Sequence, residues 1–263
     1  MTNNGQFAGR VALVTGGGSG IGRATAIELG RQGASVAVLS RQQARIDEAC
    51  AAVVAAGGQA IGISADVTSE DDLANAVHQI DETWGRLDSV VANAGANGVF
   101  APLDDLTLDE WNHTLATNLT STFLTTKASL PLLQRQGGAI VVVSSVNGSR
   151  NFNYAGAVAY STSKAGQVAF TKMVALELAQ KKVRINVVCP GAISTNIDEA
   201  THPRNIDRIR WPVEFPQGAS PLAGGPADPA QVARVIAFLL SDAADHVSGT
   251  EMWVDAAESL LVG

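Results

Sequence analysis

A doubly wound, mainly parallel α/β sheet is the fold class this sequence predicts, and three observations predict it. Short apolar runs alternate with longer helical patterns along nearly all of the 263 residues. Several runs are apolar on both faces, as in Val141-Val142-Val143, which suits a parallel sheet covered by helices on both sides. The chain also carries 42 alanines and 26 glycines, small residues that let helices lie close on a sheet.

In order, the pattern predicts a strand over Arg10–Thr15 and, after a glycine turn, a helix over Ile21–Arg31. A strand at Ser35–Leu39 and a helix at Ala44–Ala56 follow. Next come a strand at Ala60–Ala65, a helix at Asp71–Trp84 and a strand at Leu87–Ala92. The acids of Glu70-Asp71-Asp72 and Asp104-Asp105 stand at expected helix starts, where they suit the dipole. One long helix is expected over Leu108–Leu133, then a strand at Ala139–Ser144 and a helix at Ala159–Ala179. A strand at Arg184–Val188, a helix at Asp228–Leu240 and a strand at Glu251–Val254 complete the series. Residues 192–226 hold five prolines and little periodicity, so they are expected to form a substrate lid with short helices near Asn205–Arg210. With no linker or repeat, residues 1–263 read as one domain.

Composition narrows the function. The 18 basic and 25 acidic residues leave a net charge of −7, with no basic patch for nucleic acid and no polybasic run for a membrane surface. No apolar run approaches membrane-spanning length, and the first residues lack a signal peptide's pattern. Two distant cysteines, Cys50 and Cys189, predict no structural disulfide and a cytoplasmic protein.

Thr15-Gly16-Gly17-Gly18-Ser19-Gly20-Ile21-Gly22 joins the first strand to the first helix. Glycines there permit close backbone approach, and the helix start offers free N–H groups and a positive dipole end to a phosphate. At this junction the turn predicts a dinucleotide site. The second strand ends Val38-Leu39-Ser40-Arg41, with no carboxylate to accept from a ribose 2′-OH and with a guanidinium able to bind a 2′-phosphate. Ser40 and Arg41 therefore favour NADP(H); NAD(H) stays open, since a solvated Arg is the competing reading.

Tyr160-Ser161-Thr162-Ser163-Lys164 places phenol and ammonium on one helical face. A lysine cation nearby is expected to lower the tyrosine pKa and ready it to trade a proton with an alcohol or ketone oxygen. Ser144-Ser145 and Asn93-Ala94-Gly95 end predicted strands, where ligands of parallel sheets bind, and Asn118 interrupts the apolar stretch Trp111–Phe123.

Together these motifs resemble the short-chain dehydrogenases/reductases over nearly the whole chain. The resemblance implies a Rossmann-like sheet of about seven strands, assembled as a homotetramer or homodimer. It implies that Tyr160 is the general acid/base, that Lys164 lowers its pKa and holds the nicotinamide ribose, and that Ser145 holds the substrate oxygen. It implies that Asn118 orders a water relaying protons to Lys164. For the cofactor it implies Gly16, Ser19, Gly20, Ile21 and Gly22 at the turn, and Asp66 and Val67 beside the adenine. Asn93, Ala94 and Gly95 follow in mid-site, with Pro190, Gly191, Ile193 and Thr195 at the nicotinamide end. Two features depart from the family pattern: Val254-Asp255-Ala256-Ala257 replaces the usual Asp-Gly-Gly, and Ser145 stands 15 residues before Tyr160.

The expected activity is interconversion of a small secondary alcohol and its ketone with NADP(H). The alternatives are a 3-oxoacyl-(acyl carrier protein or CoA) reductase and, in another class, a non-catalytic NADP-binding sensor or scaffold. The intact Asn118, Ser145, Tyr160 and Lys164 argue against the latter. A nucleotide-sugar epimerase or dehydratase is not expected, since those chains usually have an extra C-terminal domain and 263 residues leave no room for one. His78, His113, His202 and His246 lack metal-ligand spacing, so no metal is expected. Cys189, Trp84 and Trp253 read as packing residues, and Arg204, Arg208 and Arg210 as a solvated lid face rather than an anion site.

Overall fold

The computed structural model describes residues 5–210, 222 and 224–261. Strands and helices alternate: β1 (Val11–Thr15), α1 (Gly20–Arg31), β2 (Ser35–Ser40), α2 (Gln43–Ala55), β3 (Gln59–Ser64), α3 (Glu70–Trp84) and β4 (Ser89–Ala92). Then come β5 (Gly98–Phe100), α4 (Leu108–Leu115), α5 (Ser121–Leu133), β6 (Gly138–Val143), α6 (Val158–Ala179), β7 (Val183–Pro190), β8 (Thr201–Pro203), α7 (Pro229–Leu240) and β9 (Glu251–Val254).

Seven strands form one parallel sheet in the order β3-β2-β1-β4-β6-β7-β9. At its centre the register aligns Leu13 with Ala37 and Val90, Val90 with Ile140, and Ile140 with Ile185. These strands are buried on both faces, which explains their unbroken apolar runs. Leu13, Val90, Ile140 and Ile185 pack under α3, α5 and α6 through Ile80, Leu133 and Leu178. On the opposite face Val14, Val38 and Val141 pack under α1, α2 and α7 through Leu29, Ile46 and Ile236. Each such side chain, fully buried, contributes about 1.5–3 kcal/mol of hydrophobic free energy. The strand order reverses direction between β1 and β4, and ligands of open α/β sheets bind in the crevice outside that point.

The structure corrects one expectation and adds one pair of strands. Leu108–Leu133 is not one helix: a π-helical turn over Ala116–Thr120 separates α4 from α5. The wider turn inserts an extra residue into the helical register, a device frequent at functional sites. Strands β5 and β8, three residues each, carry no readable periodicity and pair with each other across about a hundred residues. Of the expected lid, residues 211–221 and 223 lie outside the described residues. Its preceding part is tied down by that pairing, by Arg204 N donating to Phe100 O at 2.8 Å, and by Asn97 Nδ2 donating to Thr201 Oγ1 at 2.7 Å.

Candidate active site

The carboxyl ends of the central strands open into a cleft of about 1310 Å³. At one end lies the glycine turn. Ser19 is the N-cap of α1 but makes no capping hydrogen bond, and the first turn holds no acidic residue. The helix start therefore keeps N–H groups for an anion. At Gly22 a β-carbon would stand 2.3 Å from Gly16 O and 2.5 Å from Asn93 Nδ2, so only glycine fits there. Asn93 Nδ2 donates to Thr15 O at 3.0 Å, and Thr15 Oγ1 accepts from the N–H groups of Asn93 and Ala94 at 3.1 and 3.2 Å. These bonds clamp the turn to the end of β4. Gly16, Gly20, Ile21, Ala94 and Gly95 line the cleft, and Thr195 packs over Gly20. The donors, the absence of acids and the close packing fit the pyrophosphate of a dinucleotide.

Ser40 ends β2, Arg41 follows it, and both line the same cleft. Arg41 is exposed, and its field helps hold the Asp66 carboxyl below the usual range, after the stronger effect of hydrogen bonds from Thr68. Val67 lies beside Asp66. The sequence reading passed over Arg45, one turn on in α2, which also lines the cleft and forms an ion pair with Glu199 of the lid at 2.9 Å.

At the other end the π-turn presents Asn118 fully buried. Its carboxamide accepts from Ala96 N at 2.8 Å and donates to Ala96 O and Ser163 Oγ, both at 2.9 Å. Its backbone carbonyl accepts from Thr122 Oγ1 at 2.8 Å and Gln167 Nε2 at 2.9 Å. Protein groups thus engage the carboxamide and the carbonyl alike. Gln167 was missed by the sequence reading. The available signal was a polar residue three positions after Lys164 in an apolar helix.

Helix α6 carries Tyr160 and Lys164 side by side, both more than nine-tenths buried, with Lys164 Nζ 5.6 Å from the phenol ring centre. Lys164 Nζ donates to Val143 O at 3.0 Å, which anchors it to the end of β6. A β-carbon on Gly95 would stand 3.2 Å from Asn118 Oδ1 and 3.5 Å from Lys164 Nζ, so this glycine brings β4 against the pair. Burial pushes the Lys164 ammonium down to about 8. Burial pushes the Tyr160 phenol above its ordinary value, and hydrogen bonding with Ser145 opposes that shift. The expectation that Lys164 lowers the Tyr160 pKa is not met: desolvation raises it, and the opposing influence comes from Ser145.

Pro190, Gly191 and Ile193 close this end, where Glu258 of the C-terminal segment accepts from Ala192 N at 3.0 Å. Cys189 is fully buried with its thiol pushed up to about 12, which keeps it inert. Arg204 binds Glu110 and Arg208 binds Asp104 and Asp105, so these two of the three lid arginines are neutralised. Among the described residues no group of three metal-binding side chains occurs.

A short chain dehydrogenase family model matches residues 10–205. This chain belongs to the short-chain dehydrogenase/reductase family. Its structure superimposes with a TM-score of 0.91 on a 3-ketoacyl-ACP reductase from Sinorhizobium meliloti 1021, 49% identical over 95% of this chain and 99% of that one. It is 35% identical to a cyclohexanol dehydrogenase of Acinetobacter sp. (strain SE19), over 96% of each chain. A 3-ketoacyl-(acyl-carrier-protein) reductase from Brucella melitensis, complexed with NADH, is 26% identical with a TM-score of 0.84, covering 96% of this chain and 99% of its own. The family member described here is accordingly an NAD(P)-binding oxidoreductase of the CH–OH/C=O pair. No helix among its described residues is long and apolar enough to cross a membrane.

Proposed function

We propose that this chain interconverts a secondary alcohol and a ketone with NADP(H), using Tyr160 as the general acid/base. The observation that carries the reading is the convergence of Tyr160, Ser145 and Lys164, all more than nine-tenths buried, on one cleft with the glycine turn. Gly16, Ser19, Gly20, Ile21 and Gly22 would hold the pyrophosphate. Asp66 and Val67 would flank the adenine, and Asn93, Ala94 and Gly95 the middle of the cofactor. Pro190, Gly191, Ile193 and Thr195 would meet the nicotinamide end. When bound, the nicotinamide nucleotide supplies or accepts the hydride.

In reduction, Tyr160 donates its proton to the carbonyl oxygen while Ser145 holds that oxygen by a hydrogen bond. A phenol whose pKa is raised by burial stays protonated at neutral pH, so the proton is in place for this direction. In oxidation the phenolate takes the alcohol proton, and its formation needs positive charge nearby. Lys164, still charged at pH 7, supplies part of it. Asn118 fixes the loop after β4 against α6, and the proton route past Lys164 expected from the resemblance remains part of this proposal.

Three observations support NADP(H) over NAD(H): no carboxylate ends β2, Arg41 lines the cleft and is exposed, and Arg45 stands one turn away. Exposed Phe123 on α5 and Met173 and Leu176 on α6 support a homodimer or homotetramer. The two cysteines are free, which supports the cytoplasm as the place of action. One domain with its own lid at about residues 192–226 suffices for this chemistry. A second reading, reduction of a 3-oxoacyl thioester, is favoured by the 49% identical relative of that name. Rates on a panel of simple ketones and acetoacetyl-CoA, each with NADPH and NADH, test both readings. Turnover of the ketones with NADPH is expected; no turnover of any compound with either nucleotide would remove the proposal.

A further inference from the structure

Resting on the alcohol/ketone reading above, we infer that Gln167 is a positioning residue for the reaction. It holds the π-turn so that the Asn118 carboxamide sets Tyr160 against the loop after β4. Gln167 lies on α6 and is fully buried. Its Nε2 donates to Asn118 O at 2.9 Å and to Thr122 Oγ1 at 2.8 Å. Thr122 Oγ1 in turn donates to Asn118 O at 2.8 Å. Two side-chain donors thus grip one carbonyl inside the π-turn, and both hydrogens of the Gln167 amide are used there.

The Asn118 side chain passes this grip on to the reacting groups. Its carboxamide pairs with both backbone groups of Ala96, accepting from N at 2.8 Å and donating to O at 2.9 Å. Its remaining hydrogen goes to Ser163 Oγ at 2.9 Å, and Ser163 Oγ donates to Tyr160 O at 2.7 Å. Every hydrogen of this carboxamide is therefore committed. Its Oδ1 stands 3.2 Å, and Lys164 Nζ 3.5 Å, from the place a β-carbon on Gly95 would take. Any rotation of the π-turn would move the carboxamide, and with it both the Tyr160 backbone and the loop after β4.

Stability alone does not call for a glutamine at this position. Its Oε1 is buried and meets no donor among the described residues, an arrangement that costs free energy. An apolar side chain of the same length avoids that cost, while Thr122 still serves the Asn118 carbonyl. Positioning does call for it, because an error of about 1 Å in the place of a reacting group lowers the rate by about a hundredfold.

Gln167→Met keeps the length of the side chain and removes the donor. The test uses the panel compound that wild type reduces fastest, with NADPH or NADH as wild type prefers. The single-turnover rate of nucleotide oxidation should fall about tenfold. KM for that compound, the nucleotide dissociation constant and Tm should stay at wild-type values. A core-packing role predicts the reverse, a lower Tm with an unchanged rate. In an Asn118→Ala background, where the carboxamide is gone, Gln167→Met should lower the rate no further. An unchanged rate in Gln167→Met overturns the inference. So does a rate loss that comes with a lower Tm, or one that multiplies with the loss in Asn118→Ala. Should Gln167→Met fail to fold, Thr122→Val removes the other donor and should lower the rate about threefold at wild-type affinity. An unchanged rate there overturns the inference as well. Wild-type turnover that these substitutions leave untouched removes the role of Gln167 and keeps the alcohol/ketone reading. No wild-type turnover of any panel compound removes both.

Discussion

At the α6 end of the cleft, Tyr160 and Lys164 are buried and their protonation is displaced by desolvation; at the β2 end, Arg41 is exposed to water and Arg45 is paired with the exposed Glu199 across the opening. The same cleft thus contains a dry end and a wet one. In the dry end a single proton shifts the energetics by whole pKa units, each equivalent to about 1.4 kcal/mol. In the wet end charge is screened, and an exposed ion pair contributes only about 0–1 kcal/mol. Chemistry belongs in the first environment and cofactor selection can be run in the second. Substitutions in the two ends should therefore differ in size and in kind.

The largest effect is expected from Tyr160→Phe. Loss of the phenol should lower kcat by about 10²–10⁴, the range of general acid–base catalysis. Cofactor affinity, read by fluorescence titration of the reduced nucleotide, should change by less than about threefold. Near-normal turnover would remove Tyr160 from the chemistry and erase the contrast between the two ends.

Lys164 gives the contrast a thermodynamic form. Its folded-state pKa of about 8 lies below the ordinary lysine value of 10.5. Below pH 8 the folded protein carries a desolvated cation, which is a destabilising term. Between about pH 8 and 10.5 the unfolded chain binds the proton that the folded chain has released, so this group's contribution to stability rises with pH. Lys164→Met should therefore be inactive yet more stable than wild type at pH 7, by on the order of 2 kcal/mol. The gap should narrow above pH 8. Urea midpoints at pH 7 and 9.5 check both statements, and a variant less stable than wild type at pH 7 contradicts the first.

The wet end should yield smaller numbers. Arg41→Ala is expected to weaken NADPH by about tenfold and spare NADH, since a charge-assisted bond contributes about 1.5–3 kcal/mol before screening. Glu199→Gln releases Arg45 from its partner and should raise the NADPH:NADH preference in kcat/KM by about two- to fivefold. Equal changes for both nucleotides would show that neither guanidinium senses the 2′-phosphate.

The two ends also differed in how well the sequence disclosed them. The glycine turn, the bare end of β2 and the Tyr160/Lys164 pair are local: a few adjacent residues on one strand end or one helical turn carry each. The parallel sheet was equally open, because burial on both faces leaves unbroken apolar runs such as Val90-Val91-Ala92. What stayed hidden depends on pairing at a distance. Nothing in Ala116–Thr120 announces a π-turn, whose inner carbonyl is bonded by Gln167 nearly fifty residues on. The pairing of Arg204 and Arg208 depends on acids about a hundred residues earlier.

The smallest effect belongs to the C-terminal segment, which touches the dry end alone. Ala256 and Ala257 occupy left-handed backbone, with φ of 49° and 68°. These positions stand where the family pattern has glycine. Left-handed backbone costs an alanine about 1–2 kcal/mol, and glycine avoids most of it but loses about 0.5–1 kcal/mol of chain entropy on folding. The turn persists because Asp255 accepts from Ala257 N at 3.3 Å and Ser259 N at 3.1 Å, which carries Glu258 to the Ala192 N–H. Ala256→Gly and Ala257→Gly should each stabilise the protein by about 0.5 kcal/mol net and raise Tm by about 1–2 °C. Because Glu258 is the one residue of this segment, among the described residues, that lines the cleft, the NADPH:NADH ratio set at the β2 end should stay within error. A fall in Tm would mean that the alanine methyl groups make contacts outweighing the backbone strain. A change in the cofactor ratio would mean that the two ends are coupled, and that the division between a dry catalytic end and a wet selecting end is too simple.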